Sequence, residues 1–164
     1  MNSFLNHISQ CINQDAIKTN GSKNYLEESK TNTKIQIKNG GQFVHCNFEN
    51  VKGNKFPFFN PNQSGLCSIS DGVIFTEYNG KLWVIIYELK AGNGSTGSQL
   101  KATKLFTDYL LHSVNRVFNT RYKVEIRLIS HSKRNRPLLK PSVKYKNKPY
   151  SIGGGSIQLP NFLI

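Results

Sequence analysis

Acidic side chains are scarce in this sequence. Its 164 residues hold nine Asp and Glu against 22 Lys and Arg, a net charge of +13 at pH 7. That imbalance points to a polyanion as partner. Cysteine is also sparse. Cys11, Cys46 and Cys67 are odd in number and form no Cys-x-x-Cys pair, which excludes a disulfide framework or a zinc site and predicts a reducing, cytoplasmic setting. No apolar run approaches the ~20 residues that span a bilayer, so no membrane partner is expected. The first residues lack a charged segment followed by an apolar stretch, so no signal peptide is expected either. No internal repeat is present. The stretch 91–98, AGNGSTGS, is rich in Gly and Ser but has no closing Lys-Ser or Lys-Thr, which excludes a P-loop. The length is that of a single domain, 1–164, with one sizeable core.

What is present centres on residues 67–90, CSISDGVIFTEYNGKLWVIIYELK. Asn79-Gly80 between two strand-like runs is a hairpin signal, because both central residues of a type I′ turn need positive φ. A two-residue loop there sets Tyr78 opposite Lys81, Phe75 opposite Val84, Val73 opposite Ile86 and Asp71 opposite Glu88. The last pair puts two carboxylates on one sheet face, with Cβ atoms roughly 5 Å apart, where like charges repel. Lys90 projects from the same face. Leu82, Val84 and Ile86 share that face, while Trp83, Ile85 and Leu89 share the other. A strand apolar on both faces belongs inside a sheet. Two carboxylates at its end need compensation, which a divalent cation on Asp71 and Glu88 supplies. The bland reading is a structural Glu88–Lys90 pair. With only nine acids in the chain, two in register beside a lysine favour the site.

Elsewhere the periodicity predicts a helix over 2–17, carrying Phe4, Leu5, Ile8, Cys11 and Ile12. Tyr25–Glu28 reads as a further helical turn. Residues 33–38 and 42–49 read as a second hairpin about Asn39-Gly40-Gly41. Residues 50–66 read as a loop whose Phe56, Phe58 and Phe59 pack on the domain; contact with a base is the alternative. Ser98 is expected to cap a helix from Gln99 to about Phe118, with Phe106, Leu110, Val114 and Val117 as its apolar stripe. Gln99 then lies at the helix N-terminus, near the site and on the positive end of the dipole, with Lys101 and Lys104 adding charge. Residues 122–130 alternate as a strand, parallel to the preceding one across the helix. From Ser130 onward the chain has no acid. Lys133, Arg134, Arg136, Lys140, Lys144, Lys146 and Lys148 are the candidates for backbone contacts with a nucleic acid. A short strand over Ile157–Leu159 and an apolar plug end the reading.

Asp71, a hairpin, Glu88-Leu89-Lys90 and a helix opening with Gln99 resemble the PD-(D/E)XK nuclease superfamily. Ser70 stands where that family's motif has Pro. The resemblance implies an α/β, restriction-endonuclease-like mixed sheet of order αβββαβ, with a core over about 22–131 and a basic C-terminal extension over about 132–164. It implies a Mg²⁺-dependent endonuclease, with Mn²⁺ as substitute. Asp71 and Glu88 would hold the metal, Lys90 would act on the attacking water and Gln99 would position it. An acid from a preceding helix, Glu28 or else Glu27, would join them. DNA is the favoured substrate, and a homodimer is expected for cutting a duplex. Restriction, phage defence, junction resolution and repair are all settings in which the fold is used. The alternatives are an RNA-directed nuclease with the same site and a basic nucleic-acid-binding module without catalysis.

Overall fold

The elements of the computed structural model are α1 (Ser3–Cys11), β1 (Ile17–Thr19), β2 (Tyr25–Glu28), β3 (Thr33–Lys38), β4 (Phe43–Cys46), β5 (Gly72–Tyr78), β6 (Lys81–Lys90), α2 (Gly97–Val117), β7 (Val124–Ser132), β8 (Tyr150–Ile152) and β9 (Ser156–Gln158). The structure describes residues 3–19, 25–28, 33–38, 41–52, 56–90, 97–132, 150–152 and 156–163.

The β5–β6 hairpin forms in the expected register. Asn79 and Gly80 adopt φ of 51° and 71°, and Tyr78 pairs Lys81, Phe75 pairs Val84, Val73 pairs Ile86 and Gly72 pairs Tyr87. A six-stranded sheet of order β1-β4-β5-β6-β7-β8 is built on it. β4, β5 and β6 are antiparallel neighbours. After the α2 crossover, β7 runs parallel to β6 and β8 parallel to β7. The mixed sheet and the parallel return across a helix are as the sequence predicts.

Each face of the sheet is covered. Val44, Cys46, Val73, Phe75, Val84, Ile86 and Leu128 face α1 and α2. Ile74, Trp83, Ile85, Tyr87, Leu89 and Ile129 face a 3-10 turn at Leu159–Phe162, from which Leu159 and Phe162, with Leu163, pack against them. The core therefore extends past 22–131 in both directions, because Phe4, Leu5 and Ile8 fill one layer and Leu159 to Leu163 the other.

Four expectations are corrected. First, the N-terminal helix stops at Cys11. The Asn13 side chain accepts from Asp15 N–H at 2.9 Å and starts a separate 3-10 turn, while Gln14 Nε2 donates back to Ser9 O at 3.1 Å. Second, Tyr25–Glu28 is strand, not helix. It pairs β3 in a second, three-stranded sheet that β9 completes in parallel. Third, β3 and β4 do not form a hairpin together. All four residues of β4 are buried, so it takes an inner place beside β5, where both faces are covered. Fourth, α2 begins at Gly97, which places Ser98 inside its first turn, and its buried side chains are Leu100, Thr103, Thr107, Leu111 and Val114. Phe106 and Leu110 flank this stripe, half-buried, and Val117 is exposed. The helix ends in a Schellman arrangement: Asn119 takes φ 48°, and Thr120 N–H reaches back to Asn115 O at 2.9 Å.

Candidate functional site

Asp71 lies one position before β5, so the hairpin register continued by one pair sets it against Glu88. The two side chains meet there in a reciprocal clasp. Asp71 N–H donates to Glu88 Oε2 at 3.2 Å, and Leu89 N–H donates to Asp71 Oδ2 at 2.5 Å. Each carboxylate thus takes a main-chain donor of the opposite strand, where the regular ladder ends. Glu88 is 1% exposed and Asp71 8%. Burying charges this deeply is costly unless hydrogen bonds and further partners answer them, and both residues have interactions beyond the clasp.

The chain leaves the sheet just before Asp71, and α2 holds it there. Ser70 N–H donates to Thr103 Oγ1 at 2.6 Å, with both residues fully buried. Gln99 is one helical turn N-terminal to Thr103, on the same side of α2, and residues so spaced are neighbours on a helix surface. Gln99 therefore sits in the first turn of α2, half-buried, on the carboxylate side. Lys101, exposed, projects from the same turn, and Lys104 pairs with Asp108 at 2.8 Å. Lys90 occupies the last position of β6, opposite Ser132 of β7; its side chain lies outside what is described. Lys133, Arg134, Arg136, Lys140, Lys144, Lys146 and Lys148 also lie outside the described residues.

The expected helical acid is not found. α1 contains no Asp or Glu, and Glu27 and Glu28 stand on β2 of the second sheet, paired with Lys34 and Thr33. Among the described residues no group of three or more His, Cys, Asp or Glu could hold a metal ion. The pair Asp71 and Glu88 nevertheless suits Mg²⁺. Each has one oxygen fixed by a main-chain N–H, which orients the rest of the carboxylate, and Mg²⁺ is usually held by one or two carboxylates with water and phosphate oxygens completing the set. Cys46, on the same face, is no nucleophile. Burial pushes its thiol up to about 12, so it is protonated at neutral pH.

Behind the site lie Gly72 and Tyr87, which the sequence reading does not single out, and His45, which reads there as a surface or core histidine and is buried. A Cβ on Gly72 would lie 2.3 Å from the Tyr87 hydroxyl oxygen. That hydroxyl is in turn 2.6 Å from His45 Nε2, and both side chains are buried. A glycine inside a strand pattern marks such a close approach, and that signal was there to be read. At the opposite end of β6, a cavity of about 440 Å³ opens between Gly80, Lys81, Arg121, Lys123 and Glu125. It is seven residues, or roughly 23 Å at ~3.3 Å per residue, from Glu88. Among the described residues no helix is long and apolar enough to cross a membrane. Comparison with family models, with curated proteins and with solved structures finds no match to this chain.

Proposed function

We propose that this protein is a metal-dependent nuclease that hydrolyses DNA phosphodiester bonds. The observation that carries the reading is the meeting of Asp71 and Glu88, buried and mutually clasped, at the open end of the central hairpin and beside the first turn of α2. Two buried carboxylates in a chain of net charge +13 are a poor choice for stability alone, since replacing a buried ionic group with apolar residues is often neutral or stabilising.

Asp71 and Glu88 would hold Mg²⁺, with Mn²⁺ as substitute. When bound, the ion polarises the scissile phosphate and lowers the pKa of water. Lys90, at the last position of β6, would supply the positive charge that favours hydroxide and offsets the charge that builds during attack. Gln99 offers a neutral donor and acceptor to orient that water or a phosphate oxygen. The N-terminus of α2 and Lys101 favour approach of the anionic backbone. Lys133, Arg134, Arg136, Lys140, Lys144 and Lys146 would add to that attraction by their charge. Cutting both strands of a duplex calls for two such sites, hence a homodimer. The free thiols Cys11, Cys46 and Cys67 suit a reducing cytoplasm. An RNA substrate would use the same chemistry.

The test is cleavage of supercoiled plasmid, linear duplex, single-stranded DNA and RNA, each with Mg²⁺, with Mn²⁺ and with EDTA. Wild type should nick or cut DNA only with metal. Asp71→Asn and Lys90→Ala should each lose about 100-fold or more. No cleavage of any substrate, with binding unchanged in both variants, would leave a basic binding module and sink the nuclease reading.

A further inference from the structure

Phe58 is 93% exposed, while Phe56, two residues before it, is half-buried. Their loop is built, not loose. Phe56 packs edge-on against Phe106 of α2, with centroids 5.7 Å apart, and stacks with Phe59 at 5.9 Å. Four consecutive turns follow: Phe59 N–H to Phe56 O, Gln63 N–H to Asn60 O, Leu66 N–H to Gln63 O and Ser68 N–H to Gly65 O, at 3.0 to 3.2 Å. Pro57 and Pro61 bracket the exposed ring and restrict φ on either side of it. The fold thus anchors one phenylalanine, holds the next at the rim and presents Phe58 to solvent. Burying such a ring is worth about 1.5–3 kcal/mol, and the fold forgoes it.

The surroundings say what the ring is for. Residues 50–70 contain Lys52 and Lys55 and no acid. Asn60, Asn62 and Gln63 follow in the same loop and are exposed, and amide side chains of this kind hydrogen-bond base edges. The loop runs through Ile69 and Ser70 directly into Asp71, and its anchor Phe106 lies on α2 about 10 Å along the helix from Gln99. An exposed aromatic ring in a stretch that has amides and lysines and no acid complements a nucleic acid better than an apolar protein surface.

We infer that Phe58 is a stacking platform for an unpaired nucleobase, within a few nucleotides of the Asp71–Glu88 pair. This rests on the reading of the protein as a nucleic-acid enzyme and narrows its substrate to one with a single-stranded segment. Bases inside a duplex are stacked on one another and have no face to offer; an unpaired base does, whatever its identity.

The test reads binding, not cleavage, and so stands apart from the nuclease reading. Phe58→Trp is made in an Asp71→Asn background and titrated in EDTA with a single-stranded oligonucleotide and with a blunt duplex of equal length. Trp83 is the only native tryptophan and is buried, so the new signal is assignable. The single strand should quench it and the duplex should not. Phe58→Ala should weaken single-strand affinity about tenfold while leaving duplex affinity within about twofold, and Phe58→Tyr should retain both. Unchanged single-strand affinity in Phe58→Ala, or equal loss on duplex, overturns the proposal. So does a dimer that dissociates in Phe58→Ala without any change in oligonucleotide binding, since the ring would then be covered by a second copy.

Discussion

Two glycines on one strand pair show how the same residue type answers two different demands. Gly80 meets nothing within 4 Å if given a Cβ, but its φ is 71°. Gly72 needs no positive φ, yet a Cβ added there would lie 2.3 to 2.6 Å from the hydroxyl and ring atoms of buried Tyr87. Gly80→Ala should therefore cost about 1–2 kcal/mol through backbone strain, and Gly80→Asn should cost less, because Asn tolerates the left-handed region. Gly72→Ala should cost about 1–3 kcal/mol through overpacking, and Gly72→Ser no less. Urea midpoints of the four variants check this. A Gly72→Ala protein as stable as wild type would mean that Tyr87 swings aside freely, contrary to its full burial and its bond to His45.

At the scale of elements, the key contact is between α2 and the segment that delivers Asp71. Thr103 gives α2 a polar spot on its buried face, and Ser70 N–H depends on it. Thr103→Val keeps the shape and removes the acceptor. It should cost about 1–3 kcal/mol for the orphaned donor and lower cleavage, while Thr103→Ser should keep most of both. Thermal melting read beside plasmid nicking is the check; equal activity in Thr103→Val would detach α2 from the site. This element also shows where reading from sequence reaches its limit. The hairpin was legible because Asn79-Gly80 and strict alternation fix a register locally, and the carboxylate pair followed from that register. The seam of α2 was misplaced because two of its buried residues are threonines, so an apolar count favoured Phe106 and Leu110. Tyr25–Glu28 misread as helix because four residues carry little periodicity. The second partner of β3, after β2, is β9, well over a hundred residues away, and no local pattern announces a parallel pairing at that distance. The Ser70–Thr103 and His45–Tyr87 hydrogen bonds join residues that only the fold brings together.

The whole molecule carries its charge of +13 against two buried carboxylates at one sheet end. On the proposed nuclease reading, long-range attraction would bring in the polyanion, and the carboxylates would act only once it had arrived. Affinity for DNA, measured on Asp71→Asn in EDTA, should fall by about two to three orders of magnitude between 50 and 200 mM KCl if roughly five phosphates are neutralised. A flat salt response would argue that the cations serve another end. The two-sided cover of the sheet has a further consequence, one of timing. The α1–α2 face can close once β7, which brings Leu128 to it, has left the ribosome. The other face, with Trp83, Ile85, Tyr87 and Leu89, waits for Leu159 to Leu163, roughly 70 residues after β6, or several seconds at ~5–20 residues per second. For that interval the nascent chain displays this face without Leu159, Phe162 and Leu163 to pack on it. A product halted in that window would be adhesive as well as inactive, and this chain should lean on holding chaperones during its synthesis more than its modest size suggests.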